Sequence, residues 1–197
     1  MKVKTWAIAF GVALCLLVQP MAAGQREDAL AATQRGDFET ALSLWKPLAD
    51  QGLADAQFNL GVMYNNGQGV PQDFAEAAKW YRKAADQGVA AAQFTLGVMY
   101  RDGLGVPQDF IEAAKWYRKV AEQGDMDAQN YLGKLYAKGQ GVPQDYVQSY
   151  MWFDLAAARG GATAGKSRDA TAKLMTPDQI TEAQRLSREW EAAHPKK

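Results

Sequence analysis

A segment of 36 residues recurs three times in this chain, and that period restricts the fold more than any other feature. Ala56-Gln57-Phe58-Asn59-Leu60-Gly61, Ala92-Gln93-Phe94-Thr95-Leu96-Gly97 and Ala128-Gln129-Asn130-Tyr131-Leu132-Gly133 stand at this interval. So do Gly69-Val70-Pro71-Gln72-Asp73, Gly105-Val106-Pro107-Gln108-Asp109 and Gly141-Val142-Pro143-Gln144-Asp145. Residues 53–88 and 89–124 agree at 27 of 36 positions, and 89–124 agree with 125–160 at 14, so the register runs without gaps. A unit this short cannot bury an apolar face by itself and must stack on its neighbours.

Within each unit the residues predict a helical hairpin. Leu60, Gly61 and Tyr64 fall at helical spacing and stop at a Gly-x-Gly segment, which defines a first helix, A. Asp73 is a good N-cap for a second helix, B, with Glu76 three residues on in the pattern of a capping box; Asp109 with Glu112 and Asp145 with Gln148 repeat it. Helix B carries Ala77, Trp80, Tyr81 and Ala84 and ends at the stop glycine Gly88, matched by Gly124 and Gly160. Upstream, Phe38 and Trp45 keep the register of a helix B, and residues 26–34 supply its first helix. Downstream, 163–174 has weak helix-A spacing, and Thr176-Pro177 opens a last amphipathic helix through Ile180, Ala183, Leu186 and Trp190. The expectation is an all-α solenoid of helical hairpins, a right-handed superhelix of about ten helices with atypical ends.

The run of Ala and Leu-Gly, Tyr64, Gly67-x-Gly69-Val70-x-x-Asp73, Ala77, Trp80-Tyr81 and Ala84-Ala85 resembles the Sel1-like repeat, a relative of the tetratricopeptide repeat. The resemblance covers three copies, 53–88, 89–124 and 125–160, flanked by a divergent tetratricopeptide-like unit at 25–52 and C-terminal capping helices at 161–197. It implies an α/α solenoid acting as an adaptor or scaffold for proteins in signalling, envelope or host-contact complexes, with no cofactor and no chemistry of its own. The third copy departs from the pattern: Ser149-Tyr150 replace Ala-Ala, Phe153 replaces Tyr, and Asp154-Leu155 replace Arg-Lys. Met151 and Leu155 thereby add apolar surface that the following segment is expected to cover.

The N-terminus reads as a secretory signal peptide over residues 1–24: Lys2 and Lys4, an apolar run of 13 residues from Trp6 to Val18, then Ala22-Ala23-Gly24. The run is short of the roughly 20 residues that span a bilayer, so no stable membrane span is expected after cleavage near Ala23 or Gly24. Cleavage would remove Lys2, Lys4 and the single cysteine, Cys15, leaving 20 basic and 22 acidic residues. Disulfides and cysteine metal sites are then excluded from the exported chain. A charge this close to zero gives no general attraction to nucleic acid.

The sequence offers no catalytic constellation. The one histidine, His194, lies three residues from the end, and acidic residues lie near Lys or Arg at helical spacing, as in Glu76 with Lys79 and Glu112 with Lys115. Gly-x-Gly follows helices rather than strands, which fits a turn and not a phosphate loop. The Trp-Tyr pairs recur because each repeat must rebuild the same packing. Some secreted relatives with paired cysteines are associated with weak β-lactam binding or hydrolysis, so the alternative is a cell-wall glycan or peptide binder, or such a hydrolase; Ser167-Arg168-Asp169 does not supply a nucleophile and base.

The preferred reading is a non-enzymatic scaffold whose protein or peptide partner lies on the concave face made by successive A helices. With Leu60, Gly61 and Tyr64 on the packed side, positions 55, 58, 62, 65 and 66 turn to the other side. The candidate residues are Phe58, Val62, Asn65 and Asn66 in the first copy; Phe94, Val98, Arg101 and Asp102 in the second; and Asn130, Lys134 and Lys138 in the third. The face runs from apolar to polar, which suits an extended or helical peptide better than a metabolite. The competing expectation is that Phe58 and Phe94 are buried against neighbouring helices.

Overall fold

The computed structural model describes residues 24–195. The expected signal segment lies outside the described residues except for Gly24. Among the described residues the chain is all-α, with a first helix, α1, over 24–35 and nine more: α2 (Phe38–Asp50), α3 (Ala54–Asn66), α4 (Phe74–Asp86), α5 (Ala90–Asp102), α6 (Phe110–Ala121), α7 (Met126–Lys138), α8 (Tyr146–Ala157), α9 (Ala162–Ala172) and α10 (Pro177–Ala193). The chain divides after Gln87 into two compact units. In the first, α1 to α4 enclose Ala32, Trp45, Leu48, Leu60, Met63 and Trp80. In the second, α5 to α10 surround Tyr117, Val120, Leu132, Leu135, Trp152 and Leu155.

The B helices start where their aspartates place them. Asp73 accepts N–H bonds from Ala75 and Glu76 at 2.9 Å, Asp109 accepts from Ile111 and Glu112, and Asp145 accepts from Gln148. The reciprocal half of the expected capping box forms at none of the three caps, because each cap amide already donates to a tyrosine carbonyl near the end of the A helix: Asp73 to Tyr64 O at 2.9 Å, Asp109 to Tyr100 O at 2.8 Å and Asp145 to Tyr136 O at 3.0 Å. Glu76 and Glu112, left without the cap amide, take Lys79 and Lys115, each at 2.7 Å. The full box occurs at α10, between Thr176 and Gln179.

The Gly-x-Gly loops have a steric reason. Gly67 ends α3 in the left-handed region at φ 68°, which a side chain disfavours. Gly69 lies against the first carbonyl of α2, where a Cβ would stand 2.6 Å from Phe38 O; Gly141 approaches Phe110 O, at the start of α6, still more closely. The loop glutamine that follows proline then caps the end of the A helix. Gln72 Nε2 donates to Asn65 O at 2.7 Å, Gln108 to Arg101 O at 2.7 Å and Gln144 to Ala137 O at 2.9 Å.

Inside each hairpin an aromatic ring from helix B lies on a glycine of helix A. A Cβ at Gly61 would stand 2.7 Å from the Tyr81 ring, one at Gly97 2.7 Å from Tyr117, and one at Gly133 2.8 Å from Phe153. The A-helix glutamine closes the hairpin with a buried amide. Gln57 Oε1 accepts from Gln87 at 2.7 Å and Gln93 Oε1 from Gln123 at 3.3 Å. In the third repeat the corresponding position is Arg159, which donates to Leu155 O and lies 5.0 Å from the Trp190 ring, leaving the buried Gln129 Oε1 without a donor. Arg159 stands just past the end of α8, where a cation offsets the negative end of the helix. Met151 and Leu155 are buried, with Leu186 and Trp190 of α10 packed on their cluster, so the following segment covers the added apolar surface.

Because Tyr117 is itself held between Phe94 and Tyr131, its ring cannot retreat from a methyl group at Gly97. Gly97→Ala should cost a net ~1–2 kcal/mol in denaturant unfolding, overpacking outweighing the helix-propensity gain of about 1 kcal/mol.

Candidate partner-binding face

The candidate residues sit on the A helices, α3, α5 and α7, and the structure gathers some of them and not others. In the first unit Phe58 is half-buried and leans on the Tyr81 ring of α4, with centroids 5.7 Å apart. Val62 and Asn65 are half-buried and Asn66 is exposed. Asn65 Nδ2 donates to Asn66 Oδ1 at 2.8 Å. Asp55, on the same face, pairs with Arg26 of α1.

The second unit holds a denser cluster. Phe94 is half-buried, 5.6 Å from Tyr117 and 5.9 Å from Tyr131, and these two tyrosines stack at 5.2 Å with their planes 11° apart. Two cations lie over Tyr131: the Arg101 guanidinium at 4.6 Å and the Lys134 ammonium at 4.8 Å from its centroid. Arg101 also grips Asp102 through two bonds, Nε to Oδ1 at 2.7 Å and Nη2 to Oδ2 at 2.6 Å. That bond raises the pKa of Arg101 above the ordinary guanidinium value and lowers that of Asp102 below the ordinary carboxylate value. Val98 is half-buried, and Lys138 is exposed in the last turn of α7. Asn130 and Lys134 also line a cleft of about 340 Å³ with residues 160–164 at the start of α9.

Phe58 and Phe94 thus do two things at once: one edge packs on the helix-B ring of their own hairpin while part of each ring stays accessible. Tyr131, which completes the second cluster, was not among the sequence candidates. Its signal is an aromatic at a position that is Asn59 and Thr95 in the earlier copies, three residues before a lysine.

No catalytic arrangement accompanies this face. Ser43 and Lys46 have the Ser-x-x-Lys spacing, which sequence reasoning missed. Ser43 Oγ donates to Thr40 O at 2.8 Å and Lys46 pairs with Asp50 at 3.7 Å, so each is engaged within α2. Among the described residues, no group of three or more His, Cys, Asp and Glu side chains gathers to hold a metal. Among them, too, no helix is long and apolar enough to cross a membrane.

Helical hairpins joined by Gly-x-Gly loops and locked by rings on glycines define a solenoid-type repeat protein. The Sel1 repeat family model matches residues 54–89, 90–125 and 127–161, more than half of the chain, and the protein belongs to that family. Its members are typically scaffolds for protein–protein interaction and are generally non-catalytic. Among solved structures, the chain is similar to a Sel1 repeat protein from Oxalobacter formigenes, with 35% identity and a TM-score of 0.64 over 69% of this chain and 56% of that one. It is also similar to c5321, a protective antigen present in uropathogenic Escherichia coli strains, with 33% identity and a TM-score of 0.52 over 79% of this chain and 41% of that one. The Helicobacter pylori cysteine rich protein B shares the fold at 21% identity and a TM-score of 0.51, over 66% of this chain and 93% of that one. The chain therefore spans about half the length of the first two. No curated protein matches.

The tyrosines give two testable outcomes. Tyr117 is wholly buried with its hydroxyl unpartnered, and the third repeat has Phe153 at that position. Tyr117→Phe should therefore leave thermal stability unchanged or raise it by up to about 1 kcal/mol. Burial pushes the Tyr81 hydroxyl from 10.0 up to about 12, so the neutral phenol is favoured by folding. Its contribution is fully present below pH 10 and is lost as pH rises toward 12, which unfolding at stepped alkaline pH should show most steeply for the protein, less for Tyr81→Phe and least for Tyr81→Phe with Tyr117→Phe, because burial raises the Tyr117 hydroxyl as well.

Proposed function

We propose that this chain is an exported, non-enzymatic scaffold that holds a peptide or protein segment along the A-helix face. The observation that carries the proposal is the cluster of Phe94, Tyr117 and Tyr131 with Arg101 and Lys134 above it. Aromatic area that is rigid, partly accessible and flanked by charge is the composition of interface hot spots. A hydrophobic core alone accounts for the rings and not for two cations over one of them. Phe58 and Val62 offer a second, neutral stretch on α3. Within the second unit the candidate residues are spread along two helices, α5 and α7, which favours a chain segment over a small molecule.

Export is supported by the basic start, the short apolar run and the small residues at 22–24, in the order a signal peptidase substrate requires. Mass spectrometry of the secreted or periplasmic fraction should find a mature chain that begins at Gly24 or Gln25, and an intact Met1 in a soluble cytoplasmic pool would refute export.

The binding face is tested by a photo-crosslinking amino acid placed at Val98 and, separately, at Lys115 on the exposed side of α6. A partner should be captured from Val98 and not from Lys115, in the native envelope and with purified components. Once it is in hand, Phe94→Ala should weaken binding by about tenfold or more, as truncation of an aromatic hot spot does. Equal capture from both positions, or a wild-type affinity for Phe94→Ala, would move the site elsewhere.

A further inference from the structure

The last two residues of α3 and of α5 share an arrangement that helical geometry does not supply. Neighbouring residues on a helix point in different directions and do not normally meet. Yet Asn65 Nδ2 donates to Asn66 Oδ1, and Arg101 donates twice to Asp102, each donor bending round to the next residue in the chain. In both cases the first residue is the donor and half-buried, while the acceptor is exposed at the helix end. The donor thus faces the A-helix surface with part of its hydrogen-bonding capacity, two of the five N–H groups in the case of Arg101, engaged by an acceptor at the rim. At the same place α7 has Ala137 and Lys138, with no such pair.

Around Arg101 the setting is prepared for a carboxylate beyond the one that Asp102 provides. Tyr131 is held as a rigid plate by its 5.2 Å stack on Tyr117 and by Phe94 at its edge. Arg101 and Lys134 approach that plate at 4.6 and 4.8 Å. Lys134 makes no ion pair among the described residues, and Lys138 adds a further positive charge one turn along α7. Arg101 alone is neutralised, and by an exposed side chain from its own helix, whose hold is weakened by solvent. A planar guanidinium and an unpaired ammonium over one ring match an acidic side chain in shape and charge.

Building on the proposed A-helix binding face, we infer that Asp102 is an internal stand-in for an acidic residue of the partner. On binding, a partner glutamate or aspartate takes the two N–H groups of Arg101 and the nearby ammonium of Lys134, and Asp102 swings out to water. No covalent bond changes. The partner segment is therefore acidic where it crosses α5 and α7, and Asp102 suppresses binding of segments that lack a carboxylate there, since its displacement must be compensated.

The probe is acetyl-tetraglutamate-amide, titrated into the purified protein while the Arg101 Nε–H and Tyr131 ring signals are followed by NMR. Acetyl-tetraglutamine-amide serves as the neutral control, and acetyl-tetraglutamine with a free C-terminus tests whether a terminal carboxylate substitutes for a side chain. The glutamate peptide should bind, less tightly as salt rises, and the neutral peptide should not. Asp102→Asn should tighten binding about threefold or more by removing the competitor and its charge. Arg101→Gln and Lys134→Gln should each weaken it about tenfold, whereas Lys115→Gln on α6 should have no effect. All four positions are at least partly exposed, and an unchanged thermal melt verifies that each variant folds. Affinity that is unchanged or lower in Asp102→Asn, equal binding of the neutral peptide, or an equal loss in Lys115→Gln overturns the inference. If Val98 crosslinks a partner but the acidic peptide does not bind, the binding face stands and the role of Asp102 falls.

Discussion

Each hairpin depends on a ring lying where a side chain would otherwise be. Gly61, Gly97 and Gly133 let helix B approach helix A until the Tyr81, Tyr117 and Phe153 rings touch the A-helix backbone. The change from Tyr to Phe in the third copy shows that the ring, and not its hydroxyl, makes the contact. In the first two copies the other edge of the same buried ring lies beneath Phe58 and Phe94, which lean on it at 5.7 and 5.6 Å. The candidate binding face therefore rests directly on the packed rings, and the half-buried Phe58 and Phe94 are stiff because the core holds them from behind.

The opposite side of helix B shows how the repeat is brought to an end. Trp80 and Trp116 are each covered by a lysine three residues later, Lys83 at 3.7 Å and Lys119 at 4.2 Å from the ring. In the third copy that lysine is Leu155, and Trp152 is met edge-on by Trp190 of α10, 6.3 Å away. A charged stem tolerates water on its outer side, whereas a leucine demands cover. Replacing Lys by Leu, and Gln by Arg159, thus turns an internal repeat into a seat for the terminal helix.

Much of this architecture was legible in the residues. The period, the aspartate caps, the stop glycines and the Thr176-Pro177 helix start all rest on local chemistry and reappear where their spacing places them. The boxes predicted at Asp73, Asp109 and Asp145 closed only on one side, because local spacing does not reveal that each cap amide is taken by a tyrosine carbonyl of the preceding A helix. The candidate face was partly legible for a similar reason. Helical spacing picked out Phe94, Arg101 and Lys134, but Tyr131 falls outside the positions carried forward from the first copy. That Arg101 and Lys134 meet over one ring depends on how α5 and α7 lie together. The pairing of Arg101 with Asp102 runs against the rule that adjacent helical residues face apart.

The loop glycines bear on how such a chain can change length. Gly69 rests on Phe38 O and Gly141 on Phe110 O, both 31 residues back. An insertion or deletion inside the helices that span that interval would turn the loop out of register with the backbone it rests on. Adding or losing a whole unit preserves every such contact. Change by whole hairpins keeps the packing of every remaining copy, and the three copies differ from one another by substitution alone.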